Sequence, residues 1–170
     1  FHLAGIEYRR GDFNRQRDFK NNTGTVVGLL QALRKAESNP QVVFTSSVNI
    51  YGVSDGRSVT ENTRDNPPSL WSAHKLLAEN YLQISSAKGI PSTILRLSNV
   101  YGVSARPDVC ARVLINRVIM NALISKTLTL YDNNECIRDF LHIDDAISAL
   151  LVSGTHSDIG RKGDIYIVGS

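Results

Sequence analysis

The apolar positions of this chain alternate between two periods. Val42-Val43-Phe44-Thr45-Ser46-Ser47 is a short apolar run ending in hydroxyls, which reads as a strand buried in a parallel sheet and opening into a loop. Ahead of it, 15–37 carries a helical pattern. After it, Asn66-Pro67-Pro68-Ser69 is turn chemistry, with Ser69 placed to cap a helix over 70–87. Strands are expected at 1–5 and 92–97, so strands and helices alternate as in a parallel α/β fold. Beyond Gly102 the order loosens into a helix over 110–125, a short strand over 127–131, a helix over 143–153 and a final strand over 164–169. Asp144 is the expected N-cap for residues 145–153. The change near 102 divides a nucleotide-binding part, 1–102, from part of a substrate-binding region, 103–170, with a return strand to the first sheet.

Composition narrows the classes without naming one. A chain of 170 residues with 42% apolar residues can bury a real core. No apolar stretch is long enough to cross a bilayer, and no signal peptide pattern is present, so neither a membrane nor secretion is expected. Cys110 and Cys136 lack metal-ligand spacing; free thiols in a reducing, cytoplasmic setting are the preferred reading, and no metal is expected. A net charge of +3, dispersed along the chain, gives no case for nucleic acid. Arg9, Arg10, Arg15, Arg17 and Lys20 form one basic cluster, more often a solvated helix start than a phosphate site.

The chemistry concentrates around Ser47, Trp71 and Lys75. Trp71 and Lys75 are one helical turn apart and share a face, so both can look toward the loop that follows Ser47. Together with Ile50-Tyr51-Gly52 and Lys75-Leu76-Leu77-Ala78-Glu79, they resemble the extended short-chain dehydrogenase/reductases, in particular the NAD-dependent epimerase/dehydratase family of nucleotide sugars. The resemblance runs in order along nearly the whole chain, through Asn21-Asn22-Thr23-Gly24-Thr25, Leu95-Arg96-Leu97-Ser98-Asn99-Val100-Tyr101-Gly102, Arg138-Asp139-Phe140-Leu141-His142 and Tyr166-Ile167-Val168-Gly169-Ser170.

The resemblance implies a Rossmann-like parallel sheet with helices on both faces, partial because the first strands and the Gly-rich turn are absent. Gly24 and Gly28 lie inside a helical pattern without the spacing for phosphate, so helix packing is their expected use. The chain then corresponds to the middle of a family member. The resemblance further implies NAD or NADP as cofactor, a nucleotide-sugar substrate, and a homodimer through two helices per subunit, for which Val26, Leu29, Leu30 and Leu33 suit one face, though packing on the sheet explains them equally. In the family pattern a Ser or Thr works with a Tyr-x-x-x-Lys pair, so Ser47, Trp71 and Lys75 take the catalytic positions. Ala4, Asn21, Ser46, Lys75 and Leu97 fall to the cofactor side, and Asn49, Asn99 and Arg138 to the substrate side.

Trp71 is the exception, because an indole only donates and cannot shuttle a proton near neutral pH. Three readings stay open: Trp71 packs, activity is lost, or a substitute such as His74, Tyr51 or a water held by Ser47 takes over. Val48 and Asn49 stand where the family's 4,6-dehydratases carry an Asp-Glu pair, which disfavours dehydration. The expected activity is therefore epimerase-like, through a keto-sugar intermediate. A silent ligand-binding relative, and a keto-sugar reductase or decarboxylase, are the alternatives.

Overall fold

The computed structural model describes residues 1–6, 14–52, 58–103, 113–124, 137–156 and 159–170. Three parallel strands, β1 (Val42–Ser47), β2 (Ser92–Leu97) and β5 (Asp164–Val168), form one sheet in the order β1-β2-β5. Their register sets Ser47 beside Leu97 and Leu97 beside Val168, so the C-terminal ends of all three strands open at one edge. A second parallel pair, β3 (Asn99–Tyr101) and β4 (Phe140–His142), stands apart. Neither strand of this pair is expected from the apolar pattern, since three residues are too few for a period to show. The expected strand at 1–5 is reduced to one parallel bridge, His2 with Phe44, in which the His2 amide donates to the Val43 carbonyl at 2.8 Å. The expected strand at 127–131, with Cys110, Cys136, Arg9 and Arg10, lies outside the described residues.

The helical stretch predicted over 15–37 is three segments: α1 (Arg15–Phe19), a π-helical turn (Lys20–Gly24) and α2 (Thr25–Lys35). α3 (Leu70–Ser86) starts as predicted at Ser69, whose Oγ accepts from the Ser72 amide at 3.2 Å while Ser72 Oγ accepts from the Ser69 amide at 3.1 Å. This reciprocal capping box satisfies two end groups the helix cannot satisfy internally. Two further helices are α4 (Leu114–Ile124) and α5 (Ile143–Thr155). Asp144 is not the cap of α5. His142 holds that place, its Nδ1 accepting from the Asp144 amide at 3.3 Å, and Asp144 falls in the first turn, where a negative charge suits the helix dipole.

Side chains alternate across a strand, and both faces of β1 and β2 are covered. Val42, Phe44 and Ile94 pack against Val26 and Leu30 of α2 and Ala78 and Leu82 of α3, while Leu29 and Leu33 lie against the same cluster. All four α2 positions therefore contribute to the core, with Leu29 and Leu33 only partly buried. Val43 and Leu95 are equally buried and point to the opposite face, which α5 crosses. Gly28 faces open space, with nothing within 4 Å of the place a Cβ would occupy, so close packing is not its use. Gly52 is different: at φ 78° and with the Asn66 carbonyl 2.6 Å from a notional Cβ, it lets the chain turn sharply after β1.

In denaturant unfolding, Leu82→Ala is expected to lower stability by about 2–5 kcal/mol. Ser69→Ala is expected to lower it by about 1 kcal/mol. Unchanged midpoints in both variants would contradict this packing and capping.

Candidate active site

Parallel strands carry binding chemistry at their C-terminal ends, because the loops there diverge and leave a crevice. Ser47 closes β1 and caps a 3-10 turn over Val48–Tyr51, its Oγ accepting from the Asn49 amide at 3.2 Å. That bond uses an acceptor lone pair and leaves the hydroxyl proton for another partner. Asn49 itself is exposed. Ser46 points the other way and is buried, and its Oγ has no partner among the described residues.

α3 brings Lys75 over the end of β1. Only 7% of Lys75 is exposed, and Nζ donates to the Thr45 carbonyl at 3.0 Å. The ammonium also lies 4.8 Å from the centre of the Phe44 ring and 5.9 Å from that of Trp71, within reach of cation–π attraction. Burial pushes its pKa down to about 8, against which the Glu79 charge pulls up. Gly5 runs close by: a Cβ there would stand 3.5 Å from Nζ and 3.0 Å from Asn22 Oδ1. A side chain at this point would press on the Asn22 amide, which would have to give by a few tenths of an ångström.

Trp71 is half-buried and its indole N–H donates to the Ile6 carbonyl at 2.8 Å. Its single donor is thereby committed to the N-terminal segment. Of the substitutes weighed from sequence, His74 turns toward α1, with Nδ1 3.3 Å from Asp18 Oδ2 and its ring edge-on to Phe19. Tyr51 is buried beneath the Arg96 guanidinium, 4.6 Å from its ring centre, and burial raises its pKa. Neither stands in the place of a phenol at position 71.

Asn21 does not join this cluster; Asn22 does. Asn21 Nδ2 donates to the Arg17 carbonyl at 2.7 Å, on the outside of the helix, whereas Asn22 is fully buried, with Oδ1 accepting from the Ile6 amide at 3.3 Å. The π-helical turn sends Asn22 and Thr23 inward, and Thr23 Oγ1 donates to the His74 carbonyl at 2.8 Å. The signal was present in the sequence, since Asn22, Val26 and Leu30 fall on one face at intervals of four.

Leu97, half-buried, ends β2 beside Ser47, and Ala4 is exposed next to Gly5. The three substrate-side candidates do not converge. Asn99 Nδ2 donates to the Asp139 carbonyl at 2.8 Å and so fastens β3 to β4. Arg138 is exposed, and its neighbour Asp139 accepts from the Ser170 hydroxyl and amide.

Sequence reasoning missed one buried group. Arg96, in mid-β2, is 1% exposed and grips the fully buried Glu79 of α3: Nε lies 3.1 Å and 3.2 Å from its two carboxylate oxygens, and a terminal nitrogen 2.6 Å from Oε2. Its other terminal nitrogen donates to Asp65 at 2.7 Å. A charge inside a strand buried on both faces demands such partners, which was the available clue.

The comparisons with known proteins agree with this geometry. The model of the NAD dependent epimerase/dehydratase family matches residues 1–169. The chain is 33% identical over 153 residues to the uncharacterized UDP-glucose epimerase YtcB of Bacillus subtilis, covering 88% of this chain and 46% of that protein. It is 32% identical over 149 residues to UDP-glucuronate 4-epimerase 6 of Arabidopsis thaliana, covering 85% of this chain and 31% of that one. Among solved structures, UDP-glucuronic acid 4-epimerase from Bacillus cereus in complex with NAD superposes with a TM-score of 0.82 at 29% identity, over 100% of this chain and 52% of that chain. MoeE5 in complex with UDP-glucose and NAD gives 0.83 at 28% identity, over 99% and 55%. The chain thus spans about a third to a half of the length of these relatives. Its Rossmann-like parallel sheet, its ordered motifs and the family match agree: the chain belongs to the NAD-dependent epimerase/dehydratase family.

Proposed function

We propose that this protein is an NAD-dependent, epimerase-like oxidoreductase of nucleotide sugars, working through a keto-sugar intermediate at the crevice between Ser47 and Lys75. The observation that carries this reading is the Lys75 ammonium, nearly buried at the end of β1 with one hydrogen bond, to Thr45, among the described residues. Three donors on that group leave N–H capacity for a ligand. The buried Ser46 hydroxyl, without a partner among the described residues, fits a polar group on the same helix-covered side of β1. These features suit the nicotinamide-ribose end of the cofactor. NAD, when bound, supplies the hydride acceptor.

The chain's own residues then have separate tasks. Lys75 holds ribose hydroxyls and, as a cation, favours the ionised form of any acid beside it. Ser47 donates its free hydroxyl proton to the reacting sugar oxygen. Asn22 fixes the Ile6 backbone to which Trp71 is bound. Asn49, Asn99 and Arg138, although not gathered at one point, would meet different parts of the nucleotide sugar, and residues 1–102 and 103–170 would divide the cofactor and substrate work. NADP in place of NAD fits the same reading. Among the described residues no helix is long and apolar enough to cross a membrane, and we place the protein in the cytoplasm. A homodimer would use two helices per subunit, the helical stretch over 15–35 and α3, on which Leu77, Tyr81 and Ile84 are exposed along one stripe.

A second reading, binding without turnover, is favoured by one observation: the indole at position 71 moves no proton and its donor is already spent on Ile6. The test uses the full-length gene product, with NAD(H) binding followed by fluorescence and epimerisation of UDP-glucose and UDP-glucuronate. Binding is expected in the parent, and Trp71→Tyr is expected to raise turnover by roughly 10²-fold or more, the usual worth of a positioned acid/base. No NAD(H) binding in either form would overturn the assignment.

A second prediction concerns pH. Lys75 has its pKa lowered from 10.5 to about 8 in the fold. The unfolded chain therefore holds more protons between those values, and stability rises with pH through that window. Below it, the cost of the buried charge is complete, on the order of 3 kcal/mol. Because Lys75→Met has no such titration, the stability of the parent relative to Lys75→Met is expected to be flat below pH 8 and to climb from pH 8 to 10.5. A flat difference across the whole range would contradict the burial of this charge.

A further inference from the structure

Lys75 and Glu79 are four residues apart on α3, the spacing at which oppositely charged side chains ordinarily pair on a helix. Both are buried, where attraction between them would be strongest. They do not pair. Lys75 donates to the Thr45 carbonyl at 3.0 Å, and Glu79 is taken by Arg96 through three contacts of 2.6 Å, 3.1 Å and 3.2 Å. The guanidinium is itself fixed, by Asp65 at 2.7 Å and by the Tyr51 ring at 4.6 Å. A planar fork held on three sides has little freedom to release the carboxylate it grips.

Stability alone is a weak reason for this arrangement. A buried ion pair loses most of its attraction to the cost of removing both charges from water, and apolar side chains of similar volume often serve as well. What the pair accomplishes is geometric. It draws the carboxylate toward β2 and leaves the cation one turn earlier at the end of β1.

We propose that Arg96 is a positioning residue for the Lys75 site: by gripping Glu79 it keeps that carboxylate from pairing with Lys75, and so leaves the Lys75 ammonium to the Thr45 carbonyl and the crevice beyond. This deepens the functional reading above and rests on Lys75 being the ligand-facing cation. Among the described residues, three other titratable groups on the elements around α3 have partners of their own. Asp18 of α1 faces His74, His2 of the N-terminal segment is stacked on Phe44 with its ring near Thr25, and Tyr51 of the 3-10 turn lies under Arg96. Burial, and then the Lys75 charge, lower the pKa of His2, which favours its neutral form beside the ammonium.

The experiment follows the titration of Lys75 by NMR in the full-length gene product carrying 13C-labelled lysine side chains, with the resonance assigned by its absence in Lys75→Met. The parent is expected to titrate near pH 8. Arg96→Met frees Glu79 to turn back to Lys75 and is expected to raise the midpoint by about one pH unit or more. Adding Glu79→Gln to that variant is expected to bring it back to the parental value or below. Glu79→Gln alone keeps Arg96 hydrogen-bonded and is expected to lower the midpoint, which keeps the test decisive if Arg96→Met does not fold. A merely structural Arg96 would lower the unfolding midpoint of Arg96→Met and leave the Lys75 titration where it was; that result, or an unmoved midpoint in Glu79→Gln, overturns the proposal. NAD binding measured on the same samples tests the underlying reading separately, since failure of the parent to bind NAD would sink the role of Lys75 as a cofactor contact without altering its titration.

Discussion

The bond from Lys75 Nζ to the Thr45 carbonyl is the constraint from which the rest of the site follows. It places a cation where burial opposes charge, and a protein tolerates that only with compensation. Two aromatic rings, one backbone carbonyl and the negative charge of Glu79 one turn away share the task. The same bond fixes α3 across β1, so the capping box at Ser69 and the apolar face formed by Ala78 and Leu82 act together with it to set where the helix begins and how it lies. Gly5 and Asn22 then close the far side by bringing the N-terminal segment within contact distance of the ammonium.

Trp71 is fitted into this arrangement rather than merely tolerated by it. Its ring contributes to the surroundings of Lys75 and its N–H holds Ile6, so the residue ties together the segment and the helix that flank the crevice. The indole holds the two flanking elements together and, being a donor only, does not itself carry a proton near neutral pH.

Much of the fold was legible because its signals are strong. β1 and β2 are apolar runs covered on both faces, and Ser69 follows a double proline, so their bounds come close to those observed. What escaped was short or relational. β3 and β4 have three residues each and exist only by pairing with each other. The residues at 1–5 reduce to a bridge because His2 alone pairs with β1, its amide donating to the Val43 carbonyl and its carbonyl accepting from the Thr45 amide. In the site, Ser47, Trp71 and Lys75 were legible through the family resemblance and the shared face of residues 71 and 75, and Asn22 through its four-residue spacing to Val26 and Leu30, whereas the π-helical turn that carries Asn22 inward was not. The Arg96 partnership joins residues far apart in the chain, and only the burial of its strand hinted at it.

The proposed function makes Lys75 the cofactor-facing cation of a site whose acid/base position is filled by Trp71. A crystal structure of the full-length gene product with NAD is the sharpest test. The expected result is the nicotinamide ribose within hydrogen-bonding distance of Lys75 Nζ, with the Trp71 indole still on the Ile6 carbonyl and Glu79 still on Arg96. NAD bound with its ribose remote from Lys75, or Lys75 turned onto Glu79, would contradict it.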